Sequence, residues 1–217
     1  MLNIIRILGS SSMLAELNIA AIGMAGSASG RFQGILPFAL LAVLVVVVVH
    51  LIWTLTHRRG AVSRAPWGWW ARLVYLGTLA SVTVLGVTSF VAMIRFGALG
   101  GWWLFIHMFG AGAFTVLLPV LALTWCQANR FGCAAQPAGD EGQTPASRFP
   151  CLAKAMFWVI LAAGLVVTGT MLLSMLPLFG THGLELLLDV HRYAGLAVVA
   201  AMILHLYAAL LPKFGLN

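Results

Sequence analysis

Six histidines occur in the 217 residues, and four of them, His50, His107, His191 and His205, fall inside long apolar stretches. Ionisable side chains in such stretches are costly and are kept where they bind or transfer something. His191 and His205 are fourteen positions apart. On a helix that is about 21 Å of rise and about 40° short of whole turns, so the two share a face at different depths. Imidazole is the commonest metal-ligating side chain, and two imidazoles from facing helices at one depth can supply both axial positions of a haem iron.

The elements that must hold these rings follow from composition. The chain is 62% hydrophobic and 8% charged, with a mean hydropathy of +1.02, which excludes a water-soluble globule. Five stretches, roughly residues 36–57, 73–94, 102–125, 155–178 and 188–211, are long and uncharged enough to cross a bilayer as helices. The expected fold is therefore all-α, a polytopic transmembrane bundle of five spans. Residues 1–35, with Arg6, Glu16 and a small-residue run from Ala25 to Gly30, are expected to form an interfacial segment, and 127–153, rich in Gly, Pro and Ala, a loop.

Twelve Lys and Arg stand against five Asp and Glu, a net charge of +7, and the excess lies between spans, where it reports topology and not a nucleic-acid partner. Arg58, Arg59, Arg64 and Arg72 follow the first span, Arg130, Arg148 and Lys154 follow the third, and Lys213 follows the fifth. This face is expected to be cytoplasmic, as is the C-terminus. Cys126, Cys133 and Cys151 form neither a CxxC pair nor a CxxCH haem-attachment motif.

Alternating span directions then set the depths. His107 and His191 both lie early in spans that start at the extracytoplasmic face, whereas His50 and His205 lie near the cytoplasmic ends of theirs. The two level pairs predict two bis-histidine b haems stacked across the membrane, with His57 as a competitor of His50. Arg95 and Arg192 are candidates to pair the propionates of the outer haem, and Arg72, Arg148 or Lys154 those of the inner one. Protons of a quinol have two candidate sites. At the outer face they are His182, Glu185, Asp189 and Tyr193; at the inner face, Tyr75, His57 and the arginines. Segments 90–112 and 172–195 are weakly alike, each closing a span on a Gly-containing turn and opening the next with a His followed by Gly.

Two stretches carry a resemblance to a known family. LLDVHRYAGLAVVAAMILHLY (187–207), with HRxxG and a second His fourteen residues on, and WLFIHMFGAG (103–112) resemble the membrane cytochrome b (gamma) subunit of respiratory formate dehydrogenases and the cytochrome b561-like subunits of hydrogenases and thiosulfate reductases. The likeness covers about 70–211, implying a four-helix cytochrome b core preceded by an extra N-terminal span over 36–57. It implies two b haems and electron exchange between a partner redox subunit and the quinone or menaquinone pool of a bacterial cytoplasmic membrane. The partner class is an iron–sulfur or molybdoenzyme subunit, a hydrogenase, or a multihaem cytochrome. Where the family carries a His in its first helix, the segment RLVYL (72–76) has Tyr75, and His50 is expected to replace it. The competing expectation is a membrane anchor or scaffold, haem-free or with one haem, whose histidines join helices.

Overall fold

A computed structural model describes residues 30–56, 68–131 and 151–211. Five helices in it are long and apolar enough to span a membrane: α1 Gly30–Thr56, α2 Trp69–Phe96, α3 Gly101–Trp125, α4 Cys151–Ser174 and α5 Thr181–Leu210. No strand occurs among the described residues. An all-α bundle is what a bilayer demands, because a helix satisfies its backbone polar groups internally. The hydroxyls on the spans follow the same rule: Thr78, Ser81, Thr83, Ser89, Thr115 and Thr124 each donate to a carbonyl one turn back in their own helix.

Most helix starts lie before the apolar windows that announced them, whereas α4, expected to run to 178, already stops at Ser174. α1 begins at Gly30 and so takes in residues 30–35, expected to be interfacial; residues 1–29 lie outside the described part. α5 begins at Thr181, so His182, which lies between the apolar windows 155–178 and 188–211, stands in its first turn. A hydropathy window marks the hydrocarbon layer, whereas a helix continues into the interface until a glycine or a turn stops it. α2 stops at Gly97, whose φ of 74° is a left-handed position that favours glycine, and its N–H closes the helix on Met93 O at 3.1 Å. Of the expected 127–153 loop, Gln127–Asn129 form a 3-10 turn and 151–153 are the first turn of α4; residues 132–150 lie outside the described part.

Two hairpins, α2–α3 and α4–α5, make the bundle. The end with their two short connections is called here the turn end, and the end with the α3–α4 connection the loop end. The hairpins meet at mid-depth, where glycines let side chains of the opposite hairpin close in. A Cβ at Gly86 would lie 3.1 Å from Val199 Cγ2, and one at Gly164 would lie 3.0 Å from both Leu118 Cδ1 and Phe114 Cζ. From there to the loop end runs the core, with Val74, Val82, Leu118, Leu121, Trp125, Phe157, Ile160 and Met202 among its buried members. Asn129 ties off the end of α3, donating from Nδ2 to Trp125 O at 3.0 Å and accepting Trp158 Nε1–H on its own carbonyl at 3.1 Å.

α1 lies outside this four-helix unit, along α5. Phe32, Leu36 and Met93 form a small separate cluster, and Phe32 meets Tyr193 edge-on at 5.4 Å. Further along, His50 meets Tyr207. Both contacts advance along the two chains together, so α1 and α5 run parallel.

Candidate functional site

Three of the four intramembrane histidines are fixed in the same way, by a partner on the preceding helix of their hairpin. His107 Nδ1 lies 3.0 Å from Thr88 Oγ1, and that hydroxyl gives its own hydrogen to Val84 O at 2.7 Å, so Thr88 accepts and the ring donates. His191 Nδ1 lies 3.2 Å from Thr170 Oγ1 and 3.2 Å from Val167 O, while Thr170 Oγ1 donates to Val167 O at 2.9 Å. His205 Nδ1 lies 2.8 Å from Ala153 O, an acceptor only. Each Nδ1 therefore bears a proton, and each neutral ring carries its unshared pair on Nε2. This is the orientation that a histidine ligand takes when a neighbouring acceptor fixes its tautomer.

His107 and His191 belong together. Both stand in the turn-end half, both are partly buried, and they are near enough to interact electrostatically. The two halves of the bundle repeat one construction there: a threonine on the first helix of the hairpin holds a histidine on the second, at separations of 19 and 21 residues.

Packing around this pair differs from that at the loop end. α5 buries no residue before Val198, α3 before Phe114 buries Gly110 alone, and α4 beyond Gly164 buries Thr170 alone. Among the described residues, then, no buried apolar side chain of α3, α4 or α5 fills the turn-end half between the hairpins. A Cβ at Gly112, Gly169 or Gly195 would meet nothing within 4 Å, and Thr168 Oγ1, on α4 in this half, is buried without a protein hydrogen-bond partner.

His205 and His50, expected as the second pair, are not brought together. His205 is 3% exposed and points between α2 and α4, with the Tyr75 ring 6.0 Å away and the Phe157 ring 6.5 Å away. His50 is exposed, and its Nδ1 lies 2.8 Å from Tyr207 OH. Residues 205 and 207 project about 200° apart on α5, so α1 presents His50 to the side of α5 turned away from His205. His57 lies outside the described residues.

Arg192, beside His191, forms an ion pair with Asp189 at 3.1 Å one turn back. Arg72 and Arg95 are exposed at opposite ends of α2, and Lys154 donates to Arg130 O at 3.0 Å; Arg148 lies outside the described residues. Of the expected outer proton handlers, Tyr193 packs on Phe32 and His182 is exposed. The groups that reading the sequence missed are Thr88, Thr170, Ala153 and Tyr207. The two threonines had a signal: the likeness of segments 90–112 and 172–195 extends back to a hydroxyl residue about twenty positions before each histidine.

Fold and composition define a multi-pass α-helical membrane protein. No family model, no curated protein and no solved structure matches the chain. Among the described residues no group of three or more His, Cys, Asp and Glu could hold a metal ion by itself; a haem asks the protein for two ligands.

Proposed function

We propose that the chain is the membrane electron-transfer subunit of a respiratory complex. In this reading it holds a b-type haem between His107 and His191 and passes electrons between a partner redox subunit and the quinone pool. The observation that carries it is the pair of tautomer-fixed imidazoles in a half-bundle where α3, α4 and α5 bury no apolar side chain. The residues fit the group: two imidazoles with Nε2 lone pairs on the two hairpins, Gly195 one turn on from His191 where a Cβ would meet nothing within 4 Å, and the buried Thr168 hydroxyl without a protein partner. The resemblance of 103–112 and 187–207 to respiratory cytochrome b subunits points the same way.

When bound, haem supplies a reversible one-electron carrier. The chain's own residues do the rest: Thr88 and Thr170 hold the ligand rings in orientation and tautomer, the apolar helices exclude water, and Arg192 places a positive charge beside His191. The charge bias of the loops supports a cytoplasmic loop end and C-terminus, with the His107–His191 level near the extracytoplasmic face, and the family resemblance supports a bacterial inner membrane.

A specific observation favours a second reading. The same Thr–His bonds clasp helices together, as they would in a haem-free anchor. The test is the reduced-minus-oxidised absorption spectrum of the purified protein with haem quantified. The cytochrome reading expects a b-type Soret band that is lost in His107→Ala and in His191→Ala, and the anchor reading expects no Soret band at all.

A further inference from the structure

The two ends of the bundle are built for different contents. The loop end brings Tyr75, Trp125 and Phe157 around His205: Tyr75 lies 6.0 Å from both Trp125 and His205, ring centre to ring centre, and Phe157 lies 6.5 Å from His205. Phe157 and Trp125 are each 3% exposed. The cavity these rings enclose measures ≈ 10 Å³, about one water molecule. Asn129, 1% exposed and lining that cavity, buries its Oδ1 without a protein partner, which suits a water and not a macrocycle. The imidazole expected opposite His205 is on the far side of α5, and the neighbour that packs on His205 from α2 is the Tyr75 ring.

We infer that the loop-end half is closed to haem and that the chain carries a single haem, at the turn end. His205 then serves as a clamp between α5 and the first turn of α4 through its bond to Ala153. This rests on the proposed function and sharpens it. The level of His205 is about 21 Å along α5 from His191, and with no second iron there, electron exchange with quinone is confined to the extracytoplasmic leaflet. Protons taken up or released in that exchange come from or go to the same side, so the chain moves no charge across the cytoplasmic half of the membrane.

The experiment is haem per chain on the full-length protein, with a potentiometric titration, for the wild type and for His205→Ala. The inference expects one haem per chain and a single one-electron wave, both retained in His205→Ala. Two haems per chain, two waves, or loss of half the haem in His205→Ala overturns it while leaving the cytochrome reading intact; no haem at all overturns both. Should His205→Ala fail to fold, the wild-type stoichiometry decides. In sealed inverted vesicles, which present the loop end, a membrane-impermeant reductant leaves the haem oxidised until the vesicles are permeabilised. Reduction before permeabilisation overturns the sidedness.

Discussion

Replacing Thr88 or Thr170 by valine removes one hydroxyl and almost nothing else, which makes it the sharpest probe of how the histidines are held. Valine keeps the branched shape, and the carbonyl that loses the hydroxyl's hydrogen keeps its helical N–H. The remaining change is at the ring, where Nδ1–H loses the acceptor at 3.0 Å in His107 or at 3.2 Å in His191. Loss of an outer partner to a metal-ligating histidine costs about 10–100-fold in affinity, or about 1.4–2.8 kcal/mol. Each ring also reaches a backbone carbonyl, Leu85 for His107 and Val167 for His191, which places the expected loss near the tenfold end. The assay is the rate of haem transfer from the detergent-purified protein to apomyoglobin, read beside the midpoint potential. Thr88→Val and Thr170→Val should each release haem about tenfold faster and shift the potential, and Thr88→Ser and Thr170→Ser should behave as wild type. Unchanged release in both valine variants, or serine variants as impaired as valine, refutes the argument that these hydroxyls orient ligands.

Three further outcomes follow from the packing and the charges. Gly164→Ala should lower stability by about 1 kcal/mol in thermal unfolding, because its Cβ meets Leu118 and Phe114 at 3.0 Å, whereas Gly195→Ala, whose Cβ meets nothing within 4 Å, should leave unfolding unchanged. His50→Ala should lose the bond to Tyr207 and about 0.6 kcal/mol of stability with haem content unaltered; loss of haem would return His50 to the ligand set. Arg192→Ala removes a partly exposed ion pair and should change stability by under ~1 kcal/mol. It should nevertheless lower the haem midpoint potential, since a cation beside His191 favours the state that carries the extra electron; an unmoved or raised potential contradicts its placement.

Depth was legible in the sequence and lateral position was not. Counting residues from charged loops placed His107 level with His191 and His50 level with His205, because a helix rises by a fixed amount per residue. It could not say which side of α5 each neighbour occupies. For His107 and His191 the hairpins leave one arrangement, whereas α1 joins the bundle from outside along α5 and meets Tyr207 instead of His205. Tyr75 stood out where the resembled family has histidine, and the structure sets that ring beside His205. Span number was plain from hydropathy, but helix ends were not, since Gly97, Gly30 and Thr181 lie beyond the apolar windows. Thr88 and Thr170 were passed over as site residues, despite their matched spacing from His107 and His191, because hydroxyls on a span ordinarily bond their own helix, and both also do so here.

The central claim, that His107 and His191 hold one iron from opposite hairpins, is tested most directly by near-infrared magnetic circular dichroism of the oxidised protein, which identifies axial ligands by their charge-transfer energy. The account predicts a low-spin bis-imidazole signature in the wild type, lost in both His107→Ala and His191→Ala and unchanged in His50→Ala. A haem with other axial ligands, or a bis-imidazole signature that survives His107→Ala, would contradict it.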